Sequence, residues 1–187
     1  MSDYVRPPFG TFATARPALE VEDELAVPVA DALKNWEVRE AAASVLYVDT
    51  DPEKADTAVF CGAYDVPPDL SANCVVVAAK RAGEVTLAAC LALATTRVEV
   101  NRSVRTHLEA RKASFAPMNT AVELTGMEYG GITPVGLPGN WPLLIDKAVA
   151  AAPHVLIGSG RRRGKLILPG WALAQLPGAE VLPGLAS

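Results

Sequence analysis

Residues 74 to 93 carry two apolar, β-prone runs, "CVVVAA" and "EVTLAACLAL", divided by Lys80-Arg81-Ala82-Gly83. Turn residues between apolar runs of this length predict a β-hairpin. Neither run alternates cleanly between apolar and polar, so the hairpin is expected to be buried on both faces. A chain with such a hairpin must pack other elements on both sides of it.

The remaining segments supply them. "ASVLYV" (43 to 48) reads as a strand ending at Asp49-Thr50-Asp51-Pro52, and "PLLI", "HVLIGS", "KLIL" and "AEVL" read as four more. Helices are predicted from Val27 to Leu33, from an Asp56 cap through Tyr64, over the face carrying Val98, Val104 and Leu108, from Pro117 to Thr125, and near Pro169. Proline at the start and Gly126 just past the end of the fourth match the usual asymmetry of helix termini. Short strands and helices alternate, and one connection is a hairpin. The reading is therefore α/β with a mixed sheet rather than a doubly wound parallel one.

With 187 residues, half of them hydrophobic, the chain can build one sizeable core. Residues 1 to 24, with "RPPFGTFATARP" and then "EVEDE", read as an extended or partly disordered arm, and 25 to 187 as the folded domain. The apolar runs are far shorter than a bilayer-spanning helix and no signal-like N-terminus is present, so a cytoplasmic protein is expected. A net charge of −4 argues against non-specific coating of nucleic acid, yet Arg161-Arg162-Arg163 forms a local basic site. Cys61, Cys74 and Cys90 lack metal-ligand spacing and read as buried thiols.

The familiar catalytic patterns are missing. His107 reads as a solvated helix residue, and neither it nor His154 belongs to a metal-ligand motif; "GSGRRRGK" lacks P-loop spacing, and there is no GxSxG elbow. Two glycine-rich stretches remain, "GMEYGGITPVGLP" (126 to 138) and "IGSG" (157 to 160). Glycines let main-chain N–H groups approach a ligand, and prolines hold such a loop rigid. The plain alternative is that both are simply tight turns.

From "MNTAVELTGMEYGGITP" to "LIGSGRRRGKLILPG" and on to "GAEV", the order of motifs resembles the YbaK/EbsC family of free-standing aminoacyl-tRNA editing domains. These are related to the editing insertion of bacterial prolyl-tRNA synthetases. The likeness continues more weakly upstream to about Asp56 and spans about two thirds of the chain. It implies a mixed, barrel-like sheet surrounded by helices, and hydrolysis of the ester joining a wrong, small amino acid to the 3′ CCA end of a tRNA, typically the tRNA for proline. It implies no metal and no organic cofactor, with aminoacyl-tRNA as partner and room for prolyl-tRNA synthetase as a second.

Carried over by motif, the resemblance places Gly130, Gly131, Ile132, Thr133, Pro134 and Gly136 around the aminoacyl group, and Gly158, Ser159 and Gly160 beside the terminal adenosine. Asp146 falls at the family's acidic position. Asn73 stands where the family has a lysine, and an amide cannot supply that charge. Lys80 lies too far along the same strand to replace it readily, so Arg161, Arg162 and Arg163 are the better placed cations, with Lys80 a further candidate for contact with tRNA. Lys112 reads as structural surface.

An aminoacyl ester is already activated, so a positioned water, oxyanion donors and the substrate's own ribose hydroxyl could suffice without a protein nucleophile, and the positions the resemblance assigns make Asn73, Gly130, Gly131 and Asp146 the catalytic candidates. Three readings stay open: a trans-acting deacylase, a silent relative that binds aminoacyl-tRNA or an aminoacyl-nucleotide, and a hydrolase or binder of another acylated metabolite.

Overall fold

The computed structural model describes residues 5–187. Its nine strands among the described residues are β1 (Ala15–Pro17), β2 (Leu46–Val48), β3 (Ala72–Arg81), β4 (Glu84–Leu93), β5 (Lys112–Phe115), β6 (Leu143–Asp146), β7 (Val155–Gly158), β8 (Lys165–Leu168) and β9 (Ala179–Leu182). The helices are α1 (Val27–Asn35), α2 (Arg39–Ala43), α3 (Thr57–Tyr64), α4 (Arg105–His107, continuing a π-helical turn from Val100), α5 (Met118–Thr125), α6 (Lys147–Ala150) and α7 (Gly170–Leu173).

The strands form two sheets. One has the order β1-β2-β8-β7 and is antiparallel throughout; the other runs β5-β3-β4-β6-β9. In the second sheet, β3 pairs antiparallel with β4 and β5, while β4–β6 and β6–β9 are parallel. The sheet is thus mixed, as the sequence reading holds, but it is not closed into a barrel. The chain visits the first sheet, then the second, returns to the first for β7 and β8, and ends in the second at β9. Neither sheet can therefore be cut away as a separate unit.

The predicted hairpin is β3–β4, closed by Ala82 and Gly83 at φ 49° and 87°, the two left-handed residues of a tight hairpin turn. Ala72, Val76, Val77 and Ala79 on β3 and Ala88 to Ala92 on β4 are buried, while Asn73 near the start of β3 is exposed. The hairpin's outer end, from Lys80 to Thr86, is exposed, so the expectation of burial on both faces holds only in part.

The N-terminal reading needs correction. Residues 1–4 lie outside the described residues, but from Val5 onward the chain is part of the body. Arg16 and its neighbours pair with β2, and Phe12, Ala15, Ala18 and Val21 are buried. Phe12 stacks on Tyr64 at 5.4 Å between ring centroids and lies 6.3 Å from Phe60, both on α3. Proline and charge density suggested an arm, whereas well-spaced apolar residues anchor it.

Candidate functional site

The two sheets meet at one parallel bridge, Ser71 to Leu156, and part beyond it. Both residues line a cleft of about 310 Å³. One wall is the start of β3, with Ala72, Asn73, Cys74 and Val75; facing it are Tyr129, Gly130 and Ile132 of the glycine-rich loop. The start of α3 contributes Asp56, Thr57 and Phe60, and the first sheet contributes Ile157, Gly158 and Lys165.

The glycine-rich loop begins where α5 stops. Gly126 takes φ 67° and its N–H closes on Val122 O, so the helix ends in a left-handed cap. The loop is then bound to the turn after β7: Glu128 N donates to Gly160 O at 2.9 Å and Gly160 N to Gly131 O at 2.8 Å. Gly158 packs so closely that a Cβ there would lie 2.5 Å from Gly131 O and 2.8 Å from Ile132 O. The two glycine-rich stretches are thus two halves of one structure, locked main chain to main chain.

Lysine 165 was not singled out by the sequence reading. Only 8% of it is exposed, and its Nζ reaches Gly130 O at 3.4 Å and sits 5.4 Å from the centre of the Phe60 ring. Burial, reinforced by the nearby Arg162 charge, lowers its pKa from 10.5 to about 8. The available signal was a lone lysine at the head of an otherwise apolar strand, "KLIL". It lines the cleft from the sheet opposite Asn73. Asn73 itself accepts a hydrogen bond from Thr57 Oγ1 at 3.1 Å.

Cys74 also lines the cleft, but burial and the neighbouring Cys90 push its thiol well up, so it is no thiolate nucleophile at neutral pH. Cys90 is pushed up by burial to about 12 and Cys61 is raised too. Among the described residues, no three His, Cys, Asp or Glu side chains gather as a metal site. His107 is exposed on α4, as the sequence reading holds, and meets Glu180 at 2.8 Å.

Four of the expected residues, Asn73, Gly130, Ile132 and Gly158, line the cleft. Several others do not. Ser159 is fully buried and its hydroxyl bridges Arg161 and Arg163 main-chain oxygens, so it holds the turn instead of facing a ligand. Thr133 is fully buried beside Met127, and Pro134 and Gly136 continue away from the cleft, where Gly136 packs on the Pro28 main chain. Gly131 and Gly160 act through the loop lock just described.

Asp146 is a structural residue here. Oδ1 accepts from Ala148 N at 2.9 Å, capping α6, and Oδ2 accepts from Ala186 N at 3.1 Å, holding the C-terminal segment. We expect Asp146→Ala to cost about 1–2 kcal/mol in chemical denaturation, as for loss of a helix cap, with the cleft's activity changed less than about threefold.

The arginines are partly committed as well. Arg163 grips Asp49 through two 2.7 Å hydrogen bonds, holding that carboxyl below its usual range, and Arg161 donates to Asp23 O at 2.8 Å. Arg162 lies 3.6 Å from Asp56 and over the Tyr129 ring, at the cleft's rim. Lys80 is at the far end of β3 opposite Lys112, distant from the cleft.

Two sheets parting around a small cleft, with glycine main chain and a buried lysine facing the start of β3, define a mixed α/β domain. The chain belongs to the aminoacyl-tRNA editing domain family, whose model matches residues 51–176. Its general role is therefore aminoacyl-tRNA editing, with aminoacyl-tRNA as substrate.

Solved structures share the fold at low identity. A candidate trans-editing enzyme for prolyl-tRNA synthetase matches with TM-score 0.69 at 20% identity, over 84% of this chain and 94% of that one. A hypothetical protein matches with TM-score 0.71 at 21% identity, over 83% and 99%. A scaffold protein from work on computational epitope grafting gives 0.70 at 19%, over 84% and 95%. No curated protein matches the chain. No helix among the described residues is long and apolar enough to cross a membrane.

Proposed function

We propose that this domain is a trans-acting deacylase of the YbaK/EbsC type, which hydrolyses the ester of a mischarged small amino acid on a tRNA of the proline type. The observation that carries this reading is the cleft itself. At about 310 Å³ it lies at the lower end of ligand pockets, with space for an aminoacyl group and part of a ribose. Its Ala72, Ile132 and Ile157 walls would select by size, at roughly 10- to 200-fold per methylene. The Gly130 main chain offers close approach to a carbonyl, and water would be the nucleophile.

The protein would act in the cytoplasm, on its own or beside prolyl-tRNA synthetase. Arg162, at the cleft's rim, and its neighbours Arg161 and Arg163 would meet phosphates of the 3′ end, whereas Lys80 could reach only a more distant part of the tRNA. Asn73 favours a second reading, a silent binder of the same substrate, because the amide brings no charge and is engaged by Thr57.

Deacylation of proline tRNA charged in turn with alanine, cysteine, serine, threonine and proline separates the two. Rapid loss of one non-cognate ester is expected. It should vanish in Gly130→Val, since Gly130 takes φ 79° and a Cβ there would lie 2.5 Å from Arg162 Nη1. Binding without loss of any ester above the spontaneous rate would establish the silent binder instead.

A further inference from the structure

We propose that Lys165 is a catalytic residue of this cleft: its ammonium group receives the ester carbonyl oxygen as that oxygen becomes the oxyanion of the tetrahedral intermediate. The inference rests on the deacylase reading and assigns the charge that Asn73 lacks to a side chain from the opposite sheet.

Burying an ammonium without a carboxylate is costly, and such groups persist where they have work to do. Lys165 forms no ion pair among the described residues. Its one hydrogen bond is a long 3.4 Å contact to Gly130 O, and the Phe60 ring closes one side. An ammonium has three protons to donate, so two are directed at neither this carbonyl nor any other acceptor in the described protein. Nothing in the packing of "KLIL" demands a cation, because the other three side chains of the strand are buried and apolar.

The position of the ammonium chooses its ligand. A phosphate carries full charge in the ground state and is expensive to bring to a nine-tenths buried site; the more open rim, where Arg162 lies beside Asp56 and Tyr129, suits it better. A carbonyl oxygen enters neutral and becomes charged only during reaction. A buried cation touching the loop that would surround the acyl group therefore stabilises the transition state more than the bound substrate.

The step balances without a co-reactant. Water oxygen bonds to the acyl carbon while the carbonyl π pair moves onto the oxygen held by Lys165. That pair then re-forms the double bond, the carbon–ribose-oxygen bond breaks, and the ribose oxygen regains a proton in place of the one the water loses. Lys165 keeps its proton throughout.

The charged and titratable groups that act on it are Asp56 at the N-cap of α3, Cys61 on α3 and Arg162 in the turn before β8, and Cys74 on β3 and Tyr129 in the glycine-rich loop line the same cleft. Asp56 and Arg162 offset each other at 3.6 Å, and both thiols are held neutral by burial. The change of charge nearest the reacting oxygen is thus that of Lys165.

The test is single-turnover and steady-state hydrolysis of the best ester in the panel by wild type, Lys165→Met and Lys165→Arg, with melting curves to confirm folding. Lys165→Met should lower kcat by about 100-fold or more with KM within about threefold, and Lys165→Arg should recover part of the loss. The wild-type rate, with spontaneous hydrolysis subtracted, should fall as pH rises past about 8; this readout needs no variant. A raised KM with unchanged kcat would overturn the proposal, as would an enzymatic rate that climbs through pH 8. If wild type hydrolyses no ester, the deacylase reading falls and this one with it; if wild type is active and Lys165→Met equally so, only this inference falls.

Discussion

Gly131→Ala should destabilise the domain by about 3 kcal/mol or more, lower its Tm by roughly 6–12 °C and abolish editing. A single methyl does this because of where it would go. The space occupied by a Cβ at Gly131 is already filled by the main-chain N, C and O of Arg161, which belong to the facing turn. No side chain can swing aside to make room. The turn must back away, and in doing so it would break the 2.8 Å bond from Gly160 N to Gly131 O and the 2.9 Å bond from Glu128 N to Gly160 O. Those bonds hold Gly130 at the cleft, so stability and activity should fall together. Gly139→Ala is the control, since a Cβ there meets nothing. A Gly131→Ala protein with wild-type Tm and activity would show that the two loops are not locked.

Lys165→Met should do the reverse to stability. The folded protein holds the lysine pKa at about 8, against 10.5 for an ordinary lysine. Below pH 8 both folded and unfolded chains carry the proton, and the fold bears the full cost of the buried charge. Between about 8 and 10.5 the folded state releases the proton while the unfolded state keeps it, so wild-type stability rises with pH. Above 10.5 both are neutral and the rise ends. The shift corresponds to about 3 kcal/mol at most, so Lys165→Met should be more stable than wild type at pH 7 by about 1–3 kcal/mol, with the gap closing by pH 10.5. Urea denaturation of both proteins at pH 7 and 10 measures it. A variant less stable than wild type at pH 7 would show that the ammonium is well satisfied in the fold. A variant that gains stability and loses turnover would mark a group kept at the expense of the fold.

Much of the architecture was legible along the chain because local chemistry and final structure agree there. The β3–β4 hairpin follows from two apolar runs and a Gly83 turn, α5 from Pro117 and Gly126, and β6 to β9 from short apolar segments. The failures share a cause. β1 has three residues, including Pro17, and exists only because β2 offers it an edge. Helix α2, "REAAA", is one short turn beside a strand-like run and is stabilised by burial of Ala41 and Ala42.

The site divides along the same line. Motif order identified the glycine-rich loop, the turn after β7 and the start of β3 as belonging together, and all three do border the cleft. Which side chains face it was not readable. Asp146 and Ser159 are polar residues at motif positions, yet hydrogen bonds to nearby main chain occupy them. Lys165 follows a run of surface arginines and carries no motif.

The sequence by itself determined an α/β chain with a hairpin, two glycine-rich loops and an editing-domain order of motifs, because each element depends on its neighbours along the chain and the order of motifs is read directly from the sequence. Only the tertiary structure decided that the two loops lock into one another, that residues 5–24 belong to the body, and that a lysine from β8 stands across the cleft from Asn73. Those facts depend on residues far apart in the chain, brought together where two interleaved sheets separate. Burial then turns an ordinary lysine into an unpaired cation.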